Sequence, residues 1–193
     1  MKGRPHIYKN QELILKAQEV FWEKGYSATS LSDLSKATGA GAGSLYNSFK
    51  GGKKELFKKA LAQRREDFKT FKIKLESSEA PVQLIKDFFL SLASEPQKSH
   101  AKGCIIANTL VEMSFVDEEL EKEAINILKQ TENLYKTTIL KAQKNGSLQS
   151  KIPADVLAKH LISLWCGINS LRRMYPDKKI LQQQIELQLQ IID

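Results

Sequence analysis

The 193-residue chain is 41% hydrophobic and 27% charged, with a formal net charge of +8, which is enough apolar material for one or two domains with a real core. No stretch approaches the ~20 apolar residues of a membrane span, and the N-terminus lacks the apolar run of a signal peptide, so a cytoplasmic protein with no membrane attachment is expected. The charge is unevenly placed: residues 1–75 hold 16 Lys/Arg against 7 Asp/Glu, and residues 76–193 hold 14 against 15. A basic first part facing an anionic polymer is the direct physical reading, because Lys and Arg on phosphates release condensed counterions.

No segment alternates cleanly between apolar and polar residues, whereas apolar residues recur at three-to-four spacing throughout, so the chain reads as all-α, with about nine helices. The segment 1–9 carries Lys2, Arg4, Pro5 and Lys9 without a helical pattern. It suits either a basic arm along a phosphate backbone or minor groove, or a frayed terminus. Asn10 then caps a helix to Lys24, with Leu13, Ile14, Ala17, Val20 and Phe21 on one stripe.

Thr29 to Leu56 reads as two short helices around a glycine turn. Thr29 or Ser30 caps the first, and Asp33 stands at capping-box spacing from Ser30. Gly39 suits a left-handed helix end, and Gly41 a sharp reversal. In the second helix, about 42–48, Leu45 and Phe49 pack inward, which turns Ala42, Ser44, Tyr46 and Asn47 outward. This is a helix-turn-helix pattern. A longer helix follows from about Gly52 to Leu75.

After a break at 76–81, Pro81 opens a helix to about Ala93, and 95–102 reads as loop. The stretch 103–110 is apolar nearly all round and predicts a buried helix, extended by Met113 and Phe115. Asp117 begins a long helix ending near Asn145. Helices over 154–175 and 177–192 complete the chain, the last carrying Leu181, Ile185, Leu189 and Ile192 among glutamines. That mixture suits a partner surface, and a two-fold, four-helix contact of 154–175 with 177–192 is expected.

The residues Ser30-Leu31-Ser32-Asp33-Leu34, Gly39, Gly43-Ser44-Leu45-Tyr46, Phe49 and Lys53-Lys54-Glu55-Leu56-Phe57 resemble the DNA-binding signature of the tetracycline-repressor (TetR) family of transcriptional regulators. Gly41 and Ala42 depart from it, standing where the family often has a hydroxyl cap and a longer polar side chain. The resemblance implies a helix-turn-helix domain over 1–52, a connecting helix over 53–75, and a ligand-binding and dimerisation domain over 76–193. It also implies a homodimer, a ligand-responsive repressor, and a ligand enclosed among the helices between Glu55 and Tyr175.

The expected DNA-contacting set is Ser30, Ser32, Ala42, Ser44, Tyr46, Asn47, Lys53 and Lys54. In it Tyr46, Lys53 and Lys54 position phosphates, Ser44 and Asn47 bond to bases, and Ala42 touches a thymine methyl. The candidate pocket residues are Phe88, Phe89, Asn108, Met113, Tyr135 and Trp165, each of which also fits plain core.

No nucleophile-and-base motif, metal-ligand spacing or strand-linked phosphate loop is present in the sequence, so neither an enzyme, a cofactor nor a metal site is expected. Cys104 and Cys166 read as reduced thiols within apolar segments. A helical module that binds DNA without sequence choice, or binds protein, is the competing reading.

Overall fold

In a computed structural model of the chain, residues 6–175 and 177–193 are described; Lys2, Arg4 and Pro5 of the expected arm lie outside them. Among the described residues there are ten α-helices and no strand. They are α1 (His6–Lys24), α2 (Leu31–Thr38), α3 (Ala42–Ser48), α4 (Gly52–Ser77), α5 (Pro81–Ser91), α6 (Gln97–Lys102), α7 (Ile105–Met113), α8 (Glu118–Lys144), α9 (Ala154–Leu171) and α10 (Lys178–Leu189). No helix among them is long and apolar enough to cross a membrane.

The boundaries follow local chemistry. Helix α1 begins at His6, a turn before the expected Asn10 cap, because residues 6–9 hold no glycine or proline to break it. At α2 the predicted capping box forms: Ser30 Oγ accepts from Asp33 N at 3.1 Å, and the Asp33 carboxylate accepts from Ser30 N at 2.9 Å. Gly39 ends α2 at φ 72°, a conformation open to glycine at little cost. Helix α8 is capped by Asp117, whose Oδ1 accepts from the N–H groups of Glu119 and Leu120.

Two expectations for the middle of the chain are corrected. The stretch 95–102 is not all loop: Gln97–Lys102 forms the short helix α6 behind Pro96, since proline suits a helix start while barring its continuation upstream. Helix α7 stops at Met113, so Phe115 does not extend it. Phe115 sits at φ 64°, fully exposed, in the turn leading into α8.

Two apolar cores run through the molecule. One joins the inner faces of α1 to α4 (Leu13, Phe21, Leu34, Leu45, Phe49, Leu56, Phe57) to Ile105, Ile106, Met113, Leu120 and Ala124 of α7 and α8. The other gathers Leu75, Ile85, Phe89, Tyr135, Ile139, Leu157 and Leu161 with Leu181, Ile185, Leu189 and Ile192. The four apolar residues expected to present the last helix to a partner are therefore buried inside their own chain. Ile180 and Leu187 are the ones that face out.

Candidate nucleic-acid interface

Helix α3 is held from below and bare above. Leu45 and Phe49 are buried in the core shared with α1, α2 and α4, helices α1 to α3 making up the N-terminal head, whereas Ala42, Gly43, Ser44, Tyr46 and Asn47 are exposed. Its N-cap Gly41 supplies no side-chain hydrogen bond. Ser44, Asn47 and Ser48 share an open groove of about 520 Å³ with Asn10 of α1. Every one of those side chains both donates and accepts hydrogen bonds, and none is charged, which is the chemistry of base edges. The Tyr46 ring, 48% exposed, lies across the turn at Gly52. Gly52 has φ 63°, and a Cβ there would stand 3.3 Å from the ring.

The other expected contacts have partners within the chain. The Ser30 hydroxyl serves the α2 cap, while Ser32 is exposed. Asp33 takes Lys24 at 2.6 Å as well as the Ser30 bonds, and together these hold its carboxyl far below the usual range. The Lys53 ammonium donates to the Tyr26 and Thr29 carbonyls, both at 3.0 Å, and sits 4.4 Å from the Tyr26 ring centroid. Lys54 turns the other way, to Asp117 and Glu119, each at 2.8 Å.

Of the six candidate pocket residues, four come together. Phe88 stacks on Trp165 at 5.2 Å between centroids, and Phe89 approaches both Trp165 and Tyr135. Trp165 Nε1 donates to Cys104 Sγ at 3.3 Å. Burial raises the Tyr135 hydroxyl and, with Cys104 close by, pushes the Cys166 thiol up to about 11. Both groups therefore stay protonated at neutral pH. Met113 is separate, in the core shared with the head, and Asn108 donates to the Lys102 carbonyl. Two grooves of about 310 Å³ open elsewhere. One lies between α9 and α10 at Ser163, Gly167, Arg172 and Gln184. The other lies where α4 and α5 meet α8, at Glu76, Glu79, Thr138 and Lys141.

Residues 13–60 match the family described as "Bacterial regulatory proteins, tetR family", and residues 82–187 match "Tetracyclin repressor-like, C-terminal domain". The chain is 30% identical to the HTH-type transcriptional repressor DhaR of Mycobacterium sp. (strain GP1) over 81% of its own length and 78% of DhaR. The chain belongs to the TetR family of DNA-binding transcriptional regulators. It is also 28% identical to the HTH-type transcriptional regulator YezE of Bacillus subtilis over 99% of its length and all of YezE. Among solved structures, the regulator CifR bound to a 26-base-pair operator superposes with a TM-score of 0.79 at 20% identity, covering 99% of this chain and 100% of that one.

In this TetR-family regulator the head is tied to the rest by contacts that no sequence motif announces. The Glu112 carboxylate of α7 accepts from the N–H groups of Tyr26 and Ser27 in the α1–α2 turn, at 2.9 and 2.6 Å. Trp22 Nε1 of α1 donates to the Gly103 carbonyl at 3.1 Å, and Lys102 pairs with Glu19 and Glu23. Arg65 of α4 meets Glu123 of α8 at 2.9 Å. These are tertiary pairs 58 to 86 residues apart, and nothing local marks either partner. Asp117-Glu118-Glu119 is legible only as an acidic helix start.

Proposed function

We propose that this regulator represses transcription as a homodimer bound to a palindromic operator, and that a small ligand releases it. Residues 1–52 read the duplex, the connecting helix over 53–75 transmits, and residues 76–193 bind ligand and dimerise, within a cytoplasmic protein that is a regulator and not an enzyme. The observation that carries this reading is the outward face of α3: Ser44, Tyr46 and Asn47 are exposed above buried Leu45 and Phe49. Ser44 and Asn47 hydrogen-bond to bases, Ala42 meets a thymine methyl, and Tyr46 and Lys53 position phosphates. Ser30 and Ser32 flank the backbone, and Lys54 joins them when released from its carboxylates. DhaR is by name a repressor, and CifR has been captured on operator DNA; both support the same role here.

The dimer would form through α9 and α10, on which Val156, Leu171, Ile180 and Leu187 are exposed, with exposed Met174 in the turn between the two helices. The ligand would enter beside Phe88, Phe89, Tyr135 and Trp165, with Asn108 and Met113 beyond them. It acts only through unequal affinity for the DNA-bound and free states. Selection of bound fragments from a random duplex pool is the test. A palindrome with half-sites about one or two helical turns apart, bound at least ~1000-fold above random duplex at fixed salt, is expected. Equal affinity for random duplex would replace this reading with that of a sequence-indifferent DNA binder.

A further inference from the structure

Most of the glycines around the head have visible structural reasons to be glycine. Gly25, Gly39, Gly52 and Gly103 all have positive φ, and at Gly25 and Gly103 a Cβ would also strike a neighbour at under 3.0 Å. Gly43 has neither reason. It is not among the positive-φ glycines, and a Cβ built on it meets nothing within 4 Å. Gly41 is likewise open, with φ −63°. Inside the chain, then, Gly43 only weakens a seven-residue helix that has no side-chain cap, since glycine is the poorest helix former after proline.

The reason lies outside the chain. Gly43 stands four residues before Asn47, on the pole of α3 opposite buried Leu45. The base-reading candidates on this pole, Ser44 and Asn47, have short side chains. They reach hydrogen-bond distance of a base edge, ~3 Å, only if the helix backbone itself sits deep in the major groove. Any side chain one turn ahead of Asn47 would act as a spacer.

We propose that Gly43 is a specificity-determining residue that acts through the side chain it lacks. It lets the α3 backbone approach the bases closely enough for Ser44 and Asn47 to read them, and Gly41 keeps the approach to that turn clear. This rests on the reading that α3 faces the duplex.

The test compares Gly43→Ala, Gly43→Leu and Asn47→Ala on the operator recovered by selection and on random duplex. Gly43→Ala leaves the thermal midpoint unchanged or raises it by ~1–3 °C. It still lowers operator affinity ~10-fold, and Gly43→Leu lowers it further. Random-duplex affinity, which comes from phosphate charge, changes little in either. Operator binding by Gly43→Leu at the wild-type level overturns the proposal. So does a midpoint lowered by several degrees in Gly43→Ala, which would give the glycine an internal role. If Asn47→Ala keeps its base preference while Gly43→Leu loses the operator, close approach stands and only the reading role of Asn47 falls. Wild-type binding by all three would mean that α3 is not the reading surface.

Discussion

Lys54 on the first turn of α4 and Asp117 at the cap of α8 are ion-paired at 2.8 Å although 63 residues separate them. Glu119 takes the same ammonium from the other side. A lysine at the start of the helix behind α3 is well placed for a phosphate, but here two carboxylates hold it. Its availability to DNA therefore competes with its tie to the C-terminal part. In Asp117→Asn/Glu119→Gln, the asparagine still caps α8 while both charges go. Operator affinity should rise, and the slope of log affinity against log salt should steepen by about one as Lys54 gains a phosphate. A slope equal to wild type would mean that Lys54 never reaches the backbone.

The same pair sets an acid limit. Lys54 holds the Asp117 carboxyl, and together with Lys58 the Glu119 carboxyl, below their ordinary values of 3.8 and 4.5. A group with a depressed folded-state value stabilises the fold fully above its unfolded value and loses that stabilisation as pH falls through the folded one. The melting difference between wild type and Lys54→Met should therefore be constant from about pH 7 down to about pH 5 and close below about pH 4. Asp33, also held below its ordinary value, is common to both proteins, so its contribution cancels. A difference that persists unchanged at about pH 3 would show that Lys54 stabilises by packing and not by charge.

The local parts of this molecule were legible from the sequence and the tertiary ties were not, for a physical reason. Ser30, Asp33 and Gly39 act on backbone groups within four residues, so spacing alone identifies the α2 cap and its end. The inward turn of Leu45 and Phe49 follows from helical periodicity in the same way. Glu112 binds Tyr26 and Ser27 only because α7 is carried beside α1 by the one core they share, and no periodicity encodes that. The last helix fails more instructively. It has apolar residues on two faces, and periodicity cannot say which face meets the chain's own α5 and which is left outside.

Glu112 gives that tie a measurable weight. Its carboxylate accepts two main-chain N–H groups at the α1–α2 turn, where Gly25 at φ 79° leaves no room for a Cβ beside it. Removing the acceptor strands the part-buried Tyr26 N–H and returns the exposed Ser27 N–H to water, at a cost of about 1–3 kcal/mol. Glu112→Ala should lower the melting midpoint by ~2–12 °C, and Glu112→Gln, which keeps one acceptor oxygen, by less. If the two variants melt together at the wild-type temperature, water replaces the carboxylate without loss and Glu112 does not hold the head.

The two faces of α10 should respond to substitution in opposite ways. Leu181 is 1% exposed and packs with Ile185 and Leu189 into its own chain, whereas Ile180 and Leu187, seven residues apart on the other face, are 55% and 64% exposed. Leu181→Ala leaves a core cavity and should cost about 2–5 kcal/mol of stability while association is retained. Leu187→Glu places a charge where a partner helix would exclude water, so it should leave the helical content intact but yield monomers in sedimentation at micromolar concentration. Because two half-sites are then no longer held together, operator affinity should fall by ~100-fold or more. A Leu187→Glu protein that still sediments as a dimer would move the interface off this face of α10, even if operator binding were lost for some other reason.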